Sequence, residues 1–164
     1  MVENSTTIPL DAGDVRILEQ MQLDSSLTNQ ELATRSHMSA ATCLRRVKRL
    51  VDTGVIERRV ALLSSEKLGI GLTAIVEITL DRQGAEHLLA FESRAVADPG
   101  VQICHRVSPG PDFILTIYAF DMQGYDAVVK RLFTQDANVR NVKSFFSVHR
   151  AKFEPRIELS ATAG

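Results

Sequence analysis

Cysteine is scarce in this sequence, and its placement excludes two classes of small protein. Cys43 and Cys104 are far apart, so they form neither a disulfide framework nor a spaced pair of metal ligands. Each lies in an apolar run, which favours a buried, reduced thiol. His105 follows Cys104 directly, but adjacent side chains of a strand point to opposite faces. We therefore expect no metal centre and no cofactor.

Long apolar runs and catalytic motifs are also missing. No stretch approaches the ~18 apolar residues of a membrane-spanning helix, so we expect a soluble cytoplasmic protein without a membrane partner. The phosphate-binding G-x-x-x-x-G-K-[ST], the zinc-binding H-E-x-x-H and the nucleophile motif G-x-S-x-G do not occur. A small enzyme would need a convergent acid–base or metal site, so we expect no enzymatic activity.

Net charge is nearly absent from the chain as a whole but not from its parts. The formal net charge is −1. Residues 1–34 carry one cation, Arg16, against six acidic residues, a net of −5. Residues 35–59 carry seven cations against Asp52 and Glu57, a net of +5. Because local fields steer polyanions even when the total charge is small, this basic block points to nucleic acid.

The first half of the chain has the period of helices. Asp11 is placed to cap a first helix that ends near Leu23. The buried stripe of this helix is expected to consist of Ile17, Leu18 and Met21. The pattern predicts a short amphipathic helix that packs against the helices after it.

A second helix and a basic third helix follow. The segment TNQE, residues 28–31, is a capping box, and a turn at residues 36–38 leads to Ser39, which caps the third helix. Gly54 is a C-terminal stop. The ~100° step per residue places the apolar residues in one arc: Cys43, Leu44, Val47, Leu50 and Val51. The other residues point elsewhere: Ala41, Thr42, Arg45, Lys48 and Arg49.

The basic face of the third helix allows two interpretations. It is either an ordinary solvated face or a surface shaped for DNA. The regional charge, the tightly capped helix before it and the small residues of its first turn favour DNA. Small residues let a helix N-terminus approach base edges and phosphates closely.

The period changes from helical to strand-like in the second half. Residues 55–63 are expected to be extended, with a small hairpin or wing as an option, and three short helices with a wing are a DNA-binding layout. Residues 64–71 predict a linker. Beyond them we expect strands at 72–80, 101–107, 113–120 and 139–149, and helices at 84–97 and around 125–133. The order β-α-β-β-α-β is the ferredoxin-like arrangement.

The expected strand at 113–120 is apolar on both faces. One face consists of Phe113, Leu115, Ile117 and Ala119, and the other of Ile114, Tyr118 and Phe120. Two helices can cover only one face of a four-stranded sheet. We therefore expect a second copy of the chain to cover the other face in a homodimer.

Three stretches carry a family resemblance: LDAGDVRILEQMQLDSSLTNQELATRSHMSAATCLRRVKRLVDTGVI (10–56), ALLSSEKLGIGLTAIVEITL (61–80) and CHRVSPGPDFIL (104–115). Together they resemble the Lrp/AsnC, or feast/famine, family of transcription regulators, from about Leu10 to Lys152. The details CLRRV and VEITL are similar to the leucine-responsive branch.

The resemblance implies a winged helix-turn-helix joined to a ferredoxin-like effector domain. It also implies dimers that pair through the effector domains, often assemble to octamers, and sense a small molecule, usually an amino acid, between dimers. The residues implied at double-stranded DNA are Thr28, Ser39, Ala41, Thr42, Arg45, Arg46, Lys48 and Arg49. Arg45 and the small first-turn residues would read bases, and the other cations would hold phosphates or structure.

The effector loop at residues 107–113 departs from the family pattern Val-Thr/Ser-Gly-x-x-Asp-Tyr. Pro109 stands where the glycine belongs, and Gly110 is displaced by one position. Ser108, Gly110 and Asp112 are the expected effector-binding residues, because a carboxylate can pair with an α-ammonium and turn N–H groups can hold an α-carboxylate. The two prolines of the loop remove N–H donors. The alternative is that Asp112 only accepts hydrogen bonds within the turn.

We predict an α+β chain with four parts. These are a winged helix-turn-helix DNA-binding domain at 8–60, a linker at 61–71, a ferredoxin-like ligand-sensing and oligomerisation domain at 72–153, and a C-terminal tail at 154–164. The expected function is sequence-specific transcriptional regulation tuned by an amino acid or similar effector. The alternative is an architectural DNA-binding protein of the same fold without ligand sensing.

Overall fold

The computed structural model describes residues 7–160, which form two compact units. We name the units after their expected roles: the DNA-binding unit consists of residues 7–62 and 153–160, and the sensing unit consists of residues 63–152. The end of the expected C-terminal tail, residues 161–164, lies outside the described residues.

Three helices make up most of the DNA-binding unit: α1 (Ala12–Leu23), α2 (Asn29–Arg35) and α3 (Ala40–Asp52). Each begins at the expected cap, because Asp11, Thr28 and Ser39 accept N–H groups of the following turn. Gly54 follows α3 with a φ of 75°, a left-handed conformation that favours glycine.

The core of this unit is small and lies between the three helices. Its buried members are Ile17, Leu18, Leu32, Ala33, Cys43 and Leu50. Burial raises the pKa of the Cys43 thiol. The prediction that Leu44 and Val51 share the buried face of α3 is wrong, since they are 60% and 46% exposed. Two short helices cover a narrower arc of α3 than its apolar stripe spans.

Residues 55–63 follow α3 and have no regular secondary structure. Val55 and Ile56 pack against the helical core, whereas Val60 and Leu62 are exposed. No hairpin forms among the described residues of this unit, because the segment has no second strand with which to pair.

The sensing unit has the expected β-α-β-β-α-β order. Its elements are β1 (Leu72–Leu80), α4 (Ala85–Ala97), β2 (Val101–Arg106), β3 (Phe113–Ala119), α5 (Met122–Val129) and β4 (Val139–Phe146). The sheet order is β2-β3-β1-β4, and every neighbouring pair is antiparallel. This confirms the ferredoxin-like fold. The last turn after α5, Lys130–Thr134, is a π-helix rather than the expected α-helix.

Only one face of the sheet is covered by helices. The inner face carries Val76, Leu115 and Ile117, which are completely buried against residues of α4 and α5. The register places Ile75 opposite Thr116 and Phe145, and Ile103 opposite Thr116, on the outer face. Outer-face apolar side chains are half-exposed, as with Ile75 at 43% and Phe145 at 44%.

Two further observations concern the described residues. None of their helices is long and apolar enough to cross a membrane. Cys104 lies partly buried against the core of the sensing unit, and no group of three His, Cys, Asp or Glu residues between 7 and 160 could hold a metal ion.

Candidate nucleic-acid interface

The turn between α2 and α3 is held by local hydrogen bonds. His37 adopts a left-handed φ of 54°, and the Met38 N–H donates to the Ala33 carbonyl at 3.0 Å. The Asn29 side chain donates to the Ala40 carbonyl at 2.9 Å, which ties the start of α2 to the first turn of α3. These contacts fix the angle between the two helices of the helix-turn-helix.

The first turn of α3 presents small side chains to solvent. The Ser39 hydroxyl accepts the Thr42 N–H at 3.3 Å and donates to the Thr42 hydroxyl at 2.9 Å. Ala41, between them, is exposed. A helix N-terminus with such short side chains can come close to a phosphate or a base edge.

Arg45 and Lys48 continue this surface along α3. Both are exposed, and neither makes an ion pair with another residue in the range 7–160. Their charges are therefore available to a polyanion.

Arg46 and Arg49 are engaged inside the unit. Arg46 Nη1 lies 2.7 Å from Asp11 Oδ2 and 2.9 Å from Asp14 Oδ1. Arg49 Nη2 donates to the other oxygen of Asp14, whose side chain is buried. Of the two roles expected for these arginines, phosphate contact or structure, the geometry supports structure: they hold α3 against α1.

Asp11 serves both as the cap of α1 and as a partner of α3. Its carboxylate accepts the Gly13 and Asp14 N–H groups at 2.8 and 2.9 Å. The hydrogen bonds from Arg46 and from these N–H groups lower the pKa of Asp11 to about 2, and Asp11 in turn raises the pKa of Arg46.

The Thr28 hydroxyl is occupied by its own helix. It donates to Glu31 Oε2 at 2.7 Å and accepts the Glu31 N–H at 3.3 Å. Glu31 also accepts the Thr28 N–H at 2.8 Å, so the capping box is closed. A hydroxyl used in this way has little left to offer to DNA, and its clear role is to start α2.

The expected effector residues lie together in the loop after β2. Ser108 and Gly110 are exposed, and Gly110 has a φ of 121°. The Asp112 carboxylate accepts the Leu80 N–H at 2.7 Å and the Gln83 side-chain N–H at 3.3 Å. One of its oxygens is thus already used within the sensing unit.

The ion pairs between α1 and α3 are not among the contacts predicted from the sequence. A signal was present: Asp11 and Asp14 are three residues apart, and so are Arg46 and Arg49. Residues three apart on a helix lie on the same face, so two such pairs of opposite charge are complementary when the helices pack side by side.

Two known domain families match this chain, one in each half. The Lrp/AsnC ligand binding domain matches residues 73–157, and a winged helix-turn-helix DNA-binding domain matches residues 10–57. The chain is 35% identical over 152 residues to the leucine-responsive regulatory protein of Rhizobium meliloti, covering 93% of this chain and 97% of that protein. It is 33% identical over 144 residues to the DNA-binding transcriptional activator DecR of Escherichia coli, covering 88% and 95%.

Solved structures agree with these matches. An AsnC family transcriptional regulator from Agrobacterium tumefaciens aligns with a TM-score of 0.85 at 32% identity, over 91% of this chain and 97% of that one. A transcriptional regulator from Neisseria meningitidis, crystallised in complex with L-Met, aligns with a TM-score of 0.83 at 29% identity, over 91% and 96%.

Proposed function

Because this chain belongs to the Lrp/AsnC family of transcriptional regulators, with a helix-turn-helix DNA-binding domain and an Lrp/AsnC ligand binding domain, we propose that it recognises specific DNA sequences through α3. We further propose that a small effector bound in the sensing unit tunes this recognition. The regulator acts in the cytoplasm as a homodimer that assembles further, to octamers in the full assembly.

The DNA proposal rests on a difference among the cations of α3: two are paired with carboxylates of the described residues and two are not. Arg46 and Arg49 neutralise carboxylates of α1, whereas Arg45 and Lys48 are exposed beside the small first turn. Arginine can read guanine in the major groove with two hydrogen bonds, and lysine neutralises phosphates without regard to sequence. Arg45 is therefore assigned to bases and Lys48 to the backbone.

Two substitutions separate these roles. Arg45→Ala should cost ~1–3 kcal/mol of binding free energy on the preferred site and relax the base preference. Lys48→Ala should weaken binding to all sequences alike and reduce the slope of log affinity against log salt concentration by about one. Selection from random duplexes and titration at several salt concentrations measure both effects. Arg106→Ala, at an exposed position of β2, is the charge-matched control. If neither helix variant differs from that control, α3 is not the recognition helix.

The effector proposal is that an amino acid binds at the loop containing Ser108, Gly110 and Asp112. Its support is the ligand binding domain match and the L-Met complex of the Neisseria meningitidis regulator. An amino acid that binds only the native chain must raise its melting temperature. Screening the amino acids one by one, with Asp112→Asn as the matched variant, tests this: the shift should appear for one class of side chain and be lost in the variant.

One observation favours a second candidate, an architectural DNA-binding protein without ligand sensing. The Asp112 carboxylate is already bound to the Leu80 N–H and the Gln83 side chain, and Pro109 and Pro111 supply no N–H groups to an effector carboxylate. If no amino acid shifts the melting temperature while DNA binding is intact, this second function replaces the first.

A further inference from the structure

An apolar groove runs along α1 in the DNA-binding unit. It has a volume of about 700 Å³ and lies between α1, the segment that follows α3 and the C-terminal residues 155–159. Its apolar lining includes Leu18, Met21, Leu23, Val55, Val60 and Leu62. We call this feature the α1 groove. It lies on the DNA-binding unit but involves none of the cations of α3.

One wall of the α1 groove is formed by the chain's own C-terminal segment, residues 153–160, which we call the strap. The Gln22 side chain donates to the Ile157 carbonyl at 2.9 Å and accepts the Ile157 N–H at 2.6 Å. A side-chain amide that exchanges two hydrogen bonds with one backbone residue binds an extended peptide as a neighbouring strand would. Two positions further on, Leu159 packs against the helical core.

The strap is stiffened for this role. Pro155 fixes its own φ angle, and Arg156 makes two hydrogen bonds to the Glu154 carboxylate, at 2.8 and 2.7 Å. A peptide whose local conformation is already restricted loses less conformational entropy when it docks.

The backbone passes from one unit to the other at two places, and the second of these leads into the strap. The first crossing is at residues 62–63 and the second at residues 152–153. β4 pairs with β1 in the sensing sheet and ends at Phe146, only a few residues before the strap begins. Residues 147–152 therefore connect β4 to the strap.

We propose that the strap docks on α1 as a peptide, beside the α1 groove, and that this docking couples the sensing unit to DNA binding. The docked strap adds Leu159 to the core that also holds Leu50 of α3, so it stabilises the helix that carries Arg45 and Lys48. A change in the sensing unit that pulls on β4 weakens the dock and with it DNA affinity. The coupling rests on the proposed function, whereas the docking does not.

Hydrogen exchange on the full-length chain tests the docking. The Ile157 amide should be protected in the unaltered protein and exchange on the order of tenfold faster in Gln22→Met, which removes both hydrogen bonds while keeping the length of the side chain. Gln20→Met, on the same helix but without a contact to the strap among the described residues, should leave protection unchanged. An unprotected Ile157 amide in the unaltered protein would overturn the proposal.

Concentration distinguishes the chain's own strap from that of a second copy. Protection that is independent of protein concentration supports the intrachain dock. Protection that disappears on dilution below the point of subunit dissociation would overturn it in favour of strap exchange between copies.

DNA titration tests the coupling. Gln22→Met should lower affinity for the preferred duplex roughly fivefold, the net contribution of two solvent-exposed hydrogen bonds, and lower the melting temperature by about 5 °C. Faster exchange at Ile157 with unchanged DNA affinity would overturn the coupling but leave the docking standing. Failure of the unaltered chain to bind any duplex would instead overturn the proposed function.

Discussion

At the residue scale, a single buried carboxylate joins the first and third helices of the DNA-binding unit. Asp14 is 1% exposed and accepts hydrogen bonds from Arg46 and Arg49. Removing a carboxylate from water is costly, and two arginines offset that cost only while both remain in place. The orientation of α3 therefore depends on a residue buried between the helices.

Asp14→Asn should destabilise the chain by about 2 kcal/mol, because it leaves Arg49 without a carboxylate partner and Arg46 with Asp11 alone. The value lies below that for a fully buried pair, since the arginine side chains are 24% and 41% exposed. Urea unfolding measures the change. Glu19→Gln, an exposed position of α1, is the control and should be neutral within about 0.5 kcal/mol. Equal stability of the two variants would show that the ion pairs contribute nothing.

The lowered pKa of Asp11 predicts that the stability of the fold decreases in acid. Its pKa is about 2 in the folded chain and 3.8 ordinarily. A depressed carboxylate pKa contributes stability that is present above the ordinary value and is lost as pH falls from about 4 to about 2. Because Asp11 is largely exposed, screening keeps this contribution below about 1 kcal/mol.

The test of this dependence is the free energy of unfolding between pH 5 and pH 2.5 in Asp11→Asn. Its loss of stability on acidification should be smaller than that of the unaltered chain. Asp52→Asn removes an exposed carboxylate that has no ion pair in the range 7–160, and it should follow the unaltered chain. An Asp11→Asn profile parallel to that of Asp52→Asn would contradict the role assigned to Arg46.

At the scale of the elements, helix ends follow from local chemistry. Thr28 and Glu31 close a capping box, and the alternation from Leu72 to Leu80 becomes a strand with one buried face. These features depend on residues a few positions apart, so the sequence predicts them. The ferredoxin-like order and the small first turn of α3 were predictable in the same way.

Features that depend on distant parts of the chain leave weaker signals in the sequence. The ion pairs of Arg46 and Arg49 join residues more than thirty positions apart, and the exposure of Leu44 depends on which helices pack nearby. The dock of Ile157 on Gln22 spans 135 positions and leaves no local pattern. Periodicity shows which residues of a helix are apolar, but tertiary packing determines which of them are buried.

Two glycines should respond to alanine in opposite directions. Gly54 ends α3 with a φ of 75° and open space around it, so Gly54→Ala should cost about 1 kcal/mol through backbone strain alone. Gly124, in the first turn of α5, has room for a Cβ with its nearest contact at 3.5 Å. Gly124→Ala should stabilise by roughly 0.5 kcal/mol. The melting temperatures of both variants, compared with that of the unaltered chain, test this. A higher melting temperature in Gly54→Ala would contradict the strain argument.

At the scale of the whole molecule, the sensing sheet has an apolar face that its own helices leave uncovered. Ile75 and Phe145 lie side by side on this face, and Ile103 is two strands away. A row of half-exposed apolar residues at the centre of a sheet is costly in water unless another surface covers it. A second copy related by a two-fold axis presents the same face, so the two faces can cover each other.

Ile75→Lys should therefore convert the proposed homodimer to single chains. It places a charge at the centre of the outer face, on a strand with neighbours on both sides, where a partner would have to desolvate it. Light scattering should show a mass approaching that of one 18.1 kDa chain. Leu89→Lys, at a similarly exposed apolar position on α4, is the matched control and should keep the dimer. A monomeric unaltered chain, or an Ile75→Lys variant of unchanged mass, would contradict pairing through this face. Loss of mass in the control alone would move the interface to the helical layer.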